Sequence, residues 1–220
     1  VPMEVEDLTI SGTAMAVADT SITVNGTLTI GSGTVFTAGQ HRHTLLGEYI
    51  NNGTLTATGS NITFGGTAAQ TLSGSSVNTF DSLTINNAVG VSLESDALYT
   101  VSGALTINNG MLLELPPSKQ LTVSGAFTNS SDATGFVVQS DATGTGSLIH
   151  STAGVAATVE RYMNADHWHI VSPALTGQTI PTFVTDAANN IPTQGSNYGM
   201  MAYSESLGNW VFYINPASGN

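Results

Sequence analysis

The sequence predicts an all-β chain whose larger part is a parallel β-solenoid, followed by a small antiparallel β-module. The main observation is a repeated phrase, because residues 83–87 read LTINN and residues 105–109 read the same. A further near-copy, TVSGAFTN at 122–129, puts Phe127 another 22 residues on. A constant offset indicates stacked repeats that bury their apolar faces only against one another. We therefore expect rungs of roughly 22 residues.

The composition agrees with this fold class. Only 8% of the 220 residues are charged, 40% are hydrophobic, and there is no cysteine. Uncharged polar residues and glycine take the place of charges, which suits a β-fold with many tight turns. The lack of cysteine excludes disulfides, thiolate zinc ligands and thiol catalysis.

The charge balance excludes two classes of partner. The net charge is −12, and the only basic residues are Arg42, Lys119 and Arg161. Nucleic acids and anionic membrane surfaces both require several cationic contacts. No apolar run approaches the length of a membrane span. We expect neither nucleic-acid binding nor membrane insertion.

The first elements are short strands between turns. Apolar and polar residues alternate over 22–30, as in strands with one buried face. The phrase VNGTLTI at 24–30 resembles VSGALTI at 101–107, and INNGTLTA covers 50–57. The repeated unit therefore begins early in the chain.

The spacing of the early copies is looser. Leu28 precedes Leu55 by 27 residues, and Leu55 precedes Leu83 by 28. Insertions that leave a solenoid at its corners do not disturb the stack. We expect two such insertions, at 41–48 and 65–76.

If the phrase holds one place in every rung, its residues form columns. The inward column is then Leu28, Leu55, Leu83, Leu105 and Phe127. The outward column is Thr29, Thr56, Thr84, Thr106 and Thr128. The glycines Gly53, Gly103 and Gly125 share a corner without room for a side chain.

A change in amino-acid composition near 150–155 predicts a domain boundary. Residues 135–149 read as a last rung with a return strand. Later segments, including 158–163 and 168–173, are richer in aromatic residues, and no segment has a sustained helical period. We assign the solenoid to 1–152 and a β-rich capping or second module to 153–220.

Several later phrases carry a family resemblance. The LTINN rungs, SDATGTGSLI at 140–149, VERYM at 159–163, WHIVSP at 168–173 and MAYSESLGNWV at 201–211 resemble large secreted surface proteins of Bacteroidota. Those proteins are adhesin-like, and many leave the cell by type IX secretion. The resemblance implies a right-handed parallel β-helix, an extracellular or cell-surface location and a structural or adhesive role. It brings no catalytic motif.

Two His-x-His pairs are candidate metal ligands. Residues i and i+2 of a strand face the same way, so His41 with His43, or His167 with His169, could share a metal. The spacing fixes no third ligand. The alternative is a loop pair at 41–43 and a half-buried strand at 167–169.

Calcium is the one cofactor that the sequence allows, because several carboxylates could bind it. Glu94, Asp96, Asp132 and Asp141 could supply hard oxygen ligands. No calcium-loop pattern joins them, and the alternative is solvated turn carboxylates. We otherwise expect no cofactor.

The sequence predicts no enzyme. Glycoside hydrolysis needs two carboxylates near each other, and the acidic residues here are scattered. No G-x-S-x-G elbow is present. The outward threonines allow an ice-binding face, although threonine is also an ordinary strand former on solvated faces.

The aromatic residues near the C-terminus and one serine are candidate glycan sites. Trp168, Tyr203 and Trp210 could stack on sugar rings, or they could fill a small β-core. The D-S-L pattern at 81–83 resembles an O-glycosylation pattern of the secreted proteins named above, which makes Ser82 a candidate attachment site.

Together these observations favour a non-catalytic extracellular stalk, surface-layer or filament segment. Open strand ends of a solenoid pair with another chain unless they are capped. We therefore expect end-to-end partners, either other copies of the chain or neighbouring domains. The alternatives are a carbohydrate-binding module that recognises surface glycans and an ice-binding solenoid.

Overall fold

The structure is a computed structural model that describes residues 2–13, 15–164, 168–172 and 174–214. The described residues fall into two compact units, one within 1–167 and the other within 168–220. The strands of the first unit are β1 Met3–Val5, β2 Leu8–Ile10, β3 Met15–Val17, β4 Ile22–Val24, β5 Leu28–Ile30, β6 Val35–Thr37, β7 Arg42–Leu45, β8 Tyr49–Asn51, β9 Thr54–Phe64, β10 Gln70–Ser73, β11 Asn78–Ile85, β12 Val91–Leu93, β13 Tyr99–Val101, β14 Leu105–Ile107, β15 Leu113–Leu115, β16 Gln120–Val123, β17 Phe127–Asn129, β18 Phe136–Val138, β19 Ser140–Asp141, β20 Gly144–Thr145, β21 Ser147–His150 and β22 Thr158–Val159.

The second unit contains β23 Thr193–Gln194, β24 Asn197–Ser204, β25 Asn209–Ile214 and the helix α1 Ile180–Thr185. Short 3₁₀ helices lie at Ala133–Gly135 in the first unit and Ala187–Asn189 in the second.

The first unit is a parallel β-solenoid of about 7 turns with about 21 residues per turn, which confirms the predicted fold class. Each turn contributes a strand to each of three faces. The first face stacks β1, β4, β7, the end of β9, the end of β11, β14 and β17. The second face stacks β2, β5, β8, β10, β12, β15, β18 and β22. The third face stacks β3, β6, the start of β9, the start of β11, β13, β16 and β21.

Most strands have three residues because a face is short. In β12, Val91 and Leu93 are buried, whereas Ser92 between them is half-buried and points outward. The same inward and outward alternation recurs in β4, β5, β8, β13, β14 and β15. Neighbouring strands of a sheet lie roughly 4.8 Å apart, so inward side chains of successive turns pack directly on one another. The core is therefore a continuous column rather than a single layer.

The predicted leucine column is right in its later part. Leu83, Leu105 and Phe127 are in register on the first face. Leu28 lies instead on the second face, paired with Leu8 and Tyr49.

Leu55 lies on the third face, where Phe36 is its partner. The repeated phrase occurs at all three corners. Residues 24–30 connect the first face to the second, 50–57 the second to the third, and 101–107 the third to the first. The looser early spacing thus reflects a change of face.

The two predicted insertions are also wrong, because each segment contains a regular strand of the solenoid. The segment 41–48 contains β7, and the segment 65–76 contains β10. Both strands pair in parallel with the turns before and after them. These segments are ordinary parts of the coil.

The corner glycines are required by close contact between turns. A Cβ atom on Gly125 would lie 1.9 Å from the carbonyl oxygen of Gly103. A Cβ atom on Gly103 would lie 2.9 Å from the carbonyl oxygen of Asp81. Gly53 occupies another corner, where its Cβ would lie 2.3 Å from the carbonyl oxygen of Gly31. The shared corner is thus confirmed for Gly103 and Gly125 and wrong for Gly53.

The core also contains a polar cluster whose members satisfy one another. The Tyr49 hydroxyl and the Asn51 amide both donate to Oδ1 of Asn78, each at 3.0 Å. The Asn78 amide donates to the carbonyl oxygen of Ser76 at 3.1 Å. Burial raises the pKa of Tyr49 well above its usual value, which keeps the hydroxyl protonated as a donor.

The parallel stack extends past residue 152. Residues 135–149 supply β18, a short antiparallel hairpin of β19 and β20, and the start of β21. Thr158 and Val159 then pair in parallel with Val137 and Val138. Part of the segment assigned from sequence to the second module therefore belongs to the second face of the solenoid.

The second unit contains a small antiparallel sheet in the order β23-β24-β25, which confirms an antiparallel element after the solenoid. The helix α1 begins after Thr179, whose side chain forms a reciprocal capping box with Thr182. The segment 168–172 is irregular and exposed, so the half-buried strand considered for 167–169 is absent at residues 168 and 169, and residues 167 and 173 lie outside the described residues. The helix was missed because six residues are too few to show a helical period.

Candidate functional site

The first turn of the solenoid presents three open strand edges, one on each face. The strands β1, β2 and β3 pair only with β4, β5 and β6 among the described residues. We call these three strands the first-turn edge. An unpaired edge carries a row of backbone donors and acceptors that another strand can use.

Hydrogen bonds identify the backbone groups that face outward. Leu8 donates its N–H to the carbonyl oxygen of Thr27 at 3.0 Å, and the carbonyl oxygen of Ile10 accepts from Gly31 at 2.8 Å. Alternate residues of a strand point to opposite neighbours. Thr9, between Leu8 and Ile10, therefore directs its N–H and C=O away from β5. Glu4 holds the same position in β1, since the groups of Met3 and Val5 face β4.

The first-turn edge is acidic. Glu4, Glu6 and Asp7 are exposed. Oδ1 of Asp7 accepts the N–H of Thr27 at 2.6 Å, which ties the first corner to the second turn. Because the carboxylates surround the open strands, a partner that carries the same charges would be repelled at low ionic strength.

The opposite end of the solenoid is partly covered. Thr152 accepts the N–H of Phe127 through Oγ1 at 3.0 Å. The carbonyl oxygen of Ala156 accepts from the Asn129 amide at 2.8 Å. Val155 and Ala157 pack against the core. The segment 151–157 therefore caps the first face, and the two ends of the solenoid are chemically different.

The first His-x-His pair does not form a metal site. His41 precedes β7, whereas His43 points into the core and is only 3% exposed. Nδ1 of His43 accepts the N–H of Ile22 at 3.2 Å. Nε2 lies 2.7 Å from the carbonyl oxygen of Ala38 and donates to it. Both ring nitrogens are engaged, so neither offers a lone pair to a metal.

The buried position of His43 disfavours its charged form. Burial lowers its pKa, the hydrogen bond to Ala38 opposes this change, and the positive potential of His41 adds to the lowering. The neutral tautomer with a proton on Nε2 fits both hydrogen bonds. His43 is therefore a structural histidine that links the second and third turns.

The second His-x-His pair stays a prediction. His167 lies outside the described residues, and His169 is exposed in the irregular segment that follows. Within the described part of the chain, no group of three or more His, Asp or Glu side chains is arranged to hold a metal ion.

The candidate calcium ligands serve separate turns. Oδ1 of Asp132 accepts from the N–H and the hydroxyl of Thr134, and these hydrogen bonds lower the pKa of Asp132. Asp141 interacts in the same way with Thr143, which lowers its pKa. Asp96 forms an ion pair with Lys119. Asp132 and Asp141 therefore stabilise their own turns, whereas Asp96 links two successive turns of the solenoid.

The remaining candidate, Glu94, belongs to an acidic strip on the second face. Its side chain accepts a hydrogen bond from the hydroxyl of Ser92 at 2.6 Å. Burial, together with the negative charges of Glu94 and Glu160, raises the pKa of Glu114. The Gln139 amide donates to Glu114 at 2.9 Å, which partly compensates for the crowding.

Ser82 lies at the corner between the third and first faces. Its hydroxyl is half-buried and accepts the N–H of Ala104 at a long distance of 3.4 Å. Oδ2 of the neighbouring Asp81 accepts the N–H of Gly59 at 2.5 Å. Asp81 thus stabilises the bend within β9, and the hydroxyl of Ser82 is only partly accessible.

The third face contains a shallow groove that the sequence does not reveal. Its lining combines four hydroxyl side chains, one carboxylate and an apolar floor, and consists of Leu55, Thr56, Ala57, Thr58, Thr79, Asp81 and Ser102. The groove lies where β9 and β11 change register between Phe80 and Ser82. Such a shift depends on how two distant strands pair, so no local sequence signal marks it.

The predicted column of outward threonines is confirmed for Thr84, Thr106 and Thr128 and wrong for its two earlier members. Six threonines are in register on the first face: Thr23, Thr44, Thr63, Thr84, Thr106 and Thr128. Thr29 and Thr56 lie on the other two faces. Beside this column on the first face, the described residues form no second column of threonines. Two positions before Thr44, Thr63 and Thr106 the chain has Arg42, Asn61 and Ala104.

The aromatic candidates lie in the second unit. Tyr203 and Trp210 are cross-strand partners whose ring centroids are 5.5 Å apart at an interplanar angle of 68°. They are 54% and 53% exposed. Trp168 is 76% exposed in the irregular segment 168–172, whereas Tyr198 is buried. The three glycan candidates are therefore accessible.

No helix among the described residues combines the length and apolar character needed to cross a membrane. Comparison with known proteins gives no relative from which a function could be transferred, since no family model, curated protein or solved structure matches the chain.

Proposed function

We propose that this chain is a non-catalytic structural or adhesive segment of an extracellular or cell-surface protein, and that it associates with a partner through its first-turn edge. The observation that carries the proposal is the set of three open strand edges at one end of a fully packed stack. Another strand layer can continue all three ladders at once. A second copy of the chain is one such layer, and a neighbouring domain is another.

The stack itself suits a mechanical role. Inward side chains from Ile10 to Val138 form one continuous core, and every buried side-chain polar atom in the described residues has a hydrogen-bond partner. Parallel ladders on three faces connect each turn to the next. The extracellular location rests on the likeness of the repeat and module phrases to secreted surface proteins.

The capped far end favours pairing of two first-turn edges over unlimited growth. Segment 151–157 covers one face at the last turns, so a copy cannot dock there on all three faces. Two first-turn edges can meet around a two-fold axis with antiparallel strand pairs. Their carboxylates repel each other, so association should strengthen as salt screens the charges.

A concentration series measured by light scattering tests this function. We expect the mass to rise towards a dimer with increasing protein concentration, and more so in high salt. Thr9→Pro should weaken association because it removes an outward N–H, while the bonds of Leu8 and Ile10 to the second turn remain. Thr9→Ala keeps that N–H and serves as the matched control.

A monomeric mass throughout the series would contradict self-association. Equal association of Thr9→Pro and Thr9→Ala would show that the first-turn edge is not the contact.

A second candidate function is carbohydrate binding at the β24–β25 hairpin. Exposed aromatic rings can pack against the apolar faces of sugars, and Tyr203 and Trp210 present two such rings. Hydroxyl groups that could contact a sugar lie in the adjoining turn, where Ser204 and Ser206 are 3.1 Å apart.

A glycan array with the intact chain tests this candidate. Binding should fall in Trp210→Ala and Tyr203→Ala and persist in Leu207→Ala, which alters an exposed apolar residue of the turn. An array without any positive glycan, or equal binding by all variants, would remove this candidate.

A further inference from the structure

The chain contains three Asn-Gly pairs, and the structure gives them unequal surroundings. They are Asn25-Gly26, Asn52-Gly53 and Asn109-Gly110. In such a pair, the backbone nitrogen of the glycine can attack the side-chain amide carbon of the asparagine, because glycine has no Cβ to hinder the approach. The reaction requires that nitrogen and that amide to be free to meet.

Asn109 and Gly110 are both exposed and form the centre of a tight turn. Met111 donates its N–H to the carbonyl oxygen of Asn108 at 3.1 Å, which closes the turn around them. Gly110 has φ +75°, and a Cβ there would have no neighbour within 4 Å. This is the geometry of a type II turn, whose central N–H points outward.

Neither reacting group of this turn is restrained. Across the described residues, no hydrogen bond holds the backbone nitrogen of Gly110 or the side chain of Asn109. The adjacent Asn108 differs, because its amide donates to Oδ1 of Asn86 at 2.8 Å. The turn is thus free to rotate into the reactive geometry without breaking the ladder.

The Asn25-Gly26 pair is held in place. The Asn25 amide donates to Oε1 of Glu4 at 3.2 Å, and the N–H of Gly26 donates to the carbonyl oxygen of Glu6 at 2.5 Å. A Cβ on Gly26 would lie 2.8 Å from the same carbonyl oxygen, so the backbone of the previous turn blocks movement.

The Asn52-Gly53 pair is held in a similar way. Oδ1 of Asn52 accepts from the N–H and the hydroxyl of Ser75, at 3.0 and 3.1 Å. The N–H of Gly53 donates to Oδ1 of Asn51 at 3.1 Å. Both reacting groups are therefore engaged, and Gly53 is packed against the carbonyl oxygen of Gly31.

We propose that Asn109 is a self-modification site at which the folded chain deamidates selectively. The nitrogen of Gly110 loses its proton and forms a bond to the side-chain carbonyl carbon of Asn109, and the side-chain nitrogen leaves as ammonia with the transferred proton. Water then opens the resulting cyclic imide at either carbonyl. The product is an aspartate or an isoaspartate, and the exposed turn gains one negative charge.

The product would alter one corner of the coil. An isoaspartate adds a methylene group to the backbone beside the Asn86–Asn108 hydrogen bond, which links two successive turns. A new carboxylate would also increase the negative charge of a chain that already carries −12.

Peptide mapping by mass spectrometry tests the proposal with the intact chain. The folded protein and a denatured sample are kept in the same mildly alkaline buffer, and the three Asn-Gly peptides are quantified over time. In the folded protein we expect Asn25 and Asn52 to react at least about tenfold more slowly than Asn109, because they first require local opening. In denaturant, the three should react at similar rates.

Asn109→Gln serves as the matched variant, since it keeps an amide and lengthens the side chain. It should abolish the mass gain of about one dalton in that peptide and leave the other two peptides unchanged. The proposal is overturned if Asn25 or Asn52 reacts as fast as Asn109 in the folded chain. It is also overturned if folding protects Asn109 as well as it protects the other two.

Discussion

At the scale of the residue, His43 is a candidate metal ligand whose ring nitrogens are both used for hydrogen bonds within the solenoid. If residues 41–43 formed one strand, His41 and His43 would share a face and could hold a metal, and the alternative is a loop pair. His41 instead precedes the strand, and His43 points inward to bond Ile22 and Ala38. Ile22 is 21 residues away in the sequence, so no local pattern could reveal this partner.

We expect His43 to make stability depend on pH. Its pKa in the folded chain lies below the ordinary value of 6.5, so the unfolded chain binds the proton more readily. The full contribution of His43 is then present above about pH 6.5 and is lost as the pH falls towards the folded pKa. Protonation would also place an Nδ1 proton against the N–H of Ile22.

Urea unfolding at several pH values between neutral and mildly acidic measures this effect. His43→Leu should unfold more easily at neutral pH, by about 1–3 kcal/mol, because the Ile22 N–H loses its acceptor. The same variant should show a smaller decline on acidification than the parent chain. An equal pH slope in both proteins would assign the decline to other groups.

At the scale of the element, the repeated phrase is a unit of one corner followed by one strand. Its recurrence predicted the solenoid correctly, because any such unit must stack to bury its leucine. The face occupied by each copy was not predictable in the same way. Leu28, Leu55 and Leu83 have nearly equal spacing and lie on three different faces, since a turn contains three corners with similar local requirements.

The close corner contact between Gly125 and Gly103 predicts that adding one methyl group at Gly125 destabilises the chain. Gly125→Ala would place its Cβ against a backbone carbonyl oxygen that cannot rotate away. We expect the free energy of unfolding, measured in urea, to fall by about 1–3 kcal/mol. Ser124→Ala, at the exposed neighbouring position, should change that free energy by less than about 0.5 kcal/mol. Similar stability of the two variants would mean that the corner can open.

At the scale of the whole molecule, repetition and hydrophobic alternation predicted the solenoid and the antiparallel sheet. The candidate sites were less predictable, because they depend on contacts between residues about a turn apart. The first-turn edge is defined by the backbone groups of β1–β3 that find no partner among the described residues. The groove near Asp81 is defined by a register shift between two strands. Neither leaves a local signal, whereas the exposed pair of Tyr203 and Trp210 was recognisable from residue type.

The stack should behave as a series of coupled turns rather than as a uniform core. Leu93 is fully buried on the second face, in a strand, β12, that pairs with β10 of the turn before and β15 of the turn after. Leu8 is half-buried in the first turn, and its strand β2 pairs with β5 of the second turn. Leu93→Ala should cost about 2–5 kcal/mol, because it leaves a cavity in a rigid column. Leu8→Ala should cost less.

Hydrogen exchange of the intact chain separates the two cases. Repeat stacks are stabilised by contacts between nearest neighbours, so Leu8→Ala should speed exchange in β1–β3 and leave β10–β15 protected. Leu93→Ala should speed exchange on both sides of β12. If Leu8→Ala instead raised exchange equally in every turn, the solenoid would unfold as a single cooperative unit. Pairing of a second copy on the first-turn edge would then stabilise every turn of the solenoid, instead of only the turns nearest the contact.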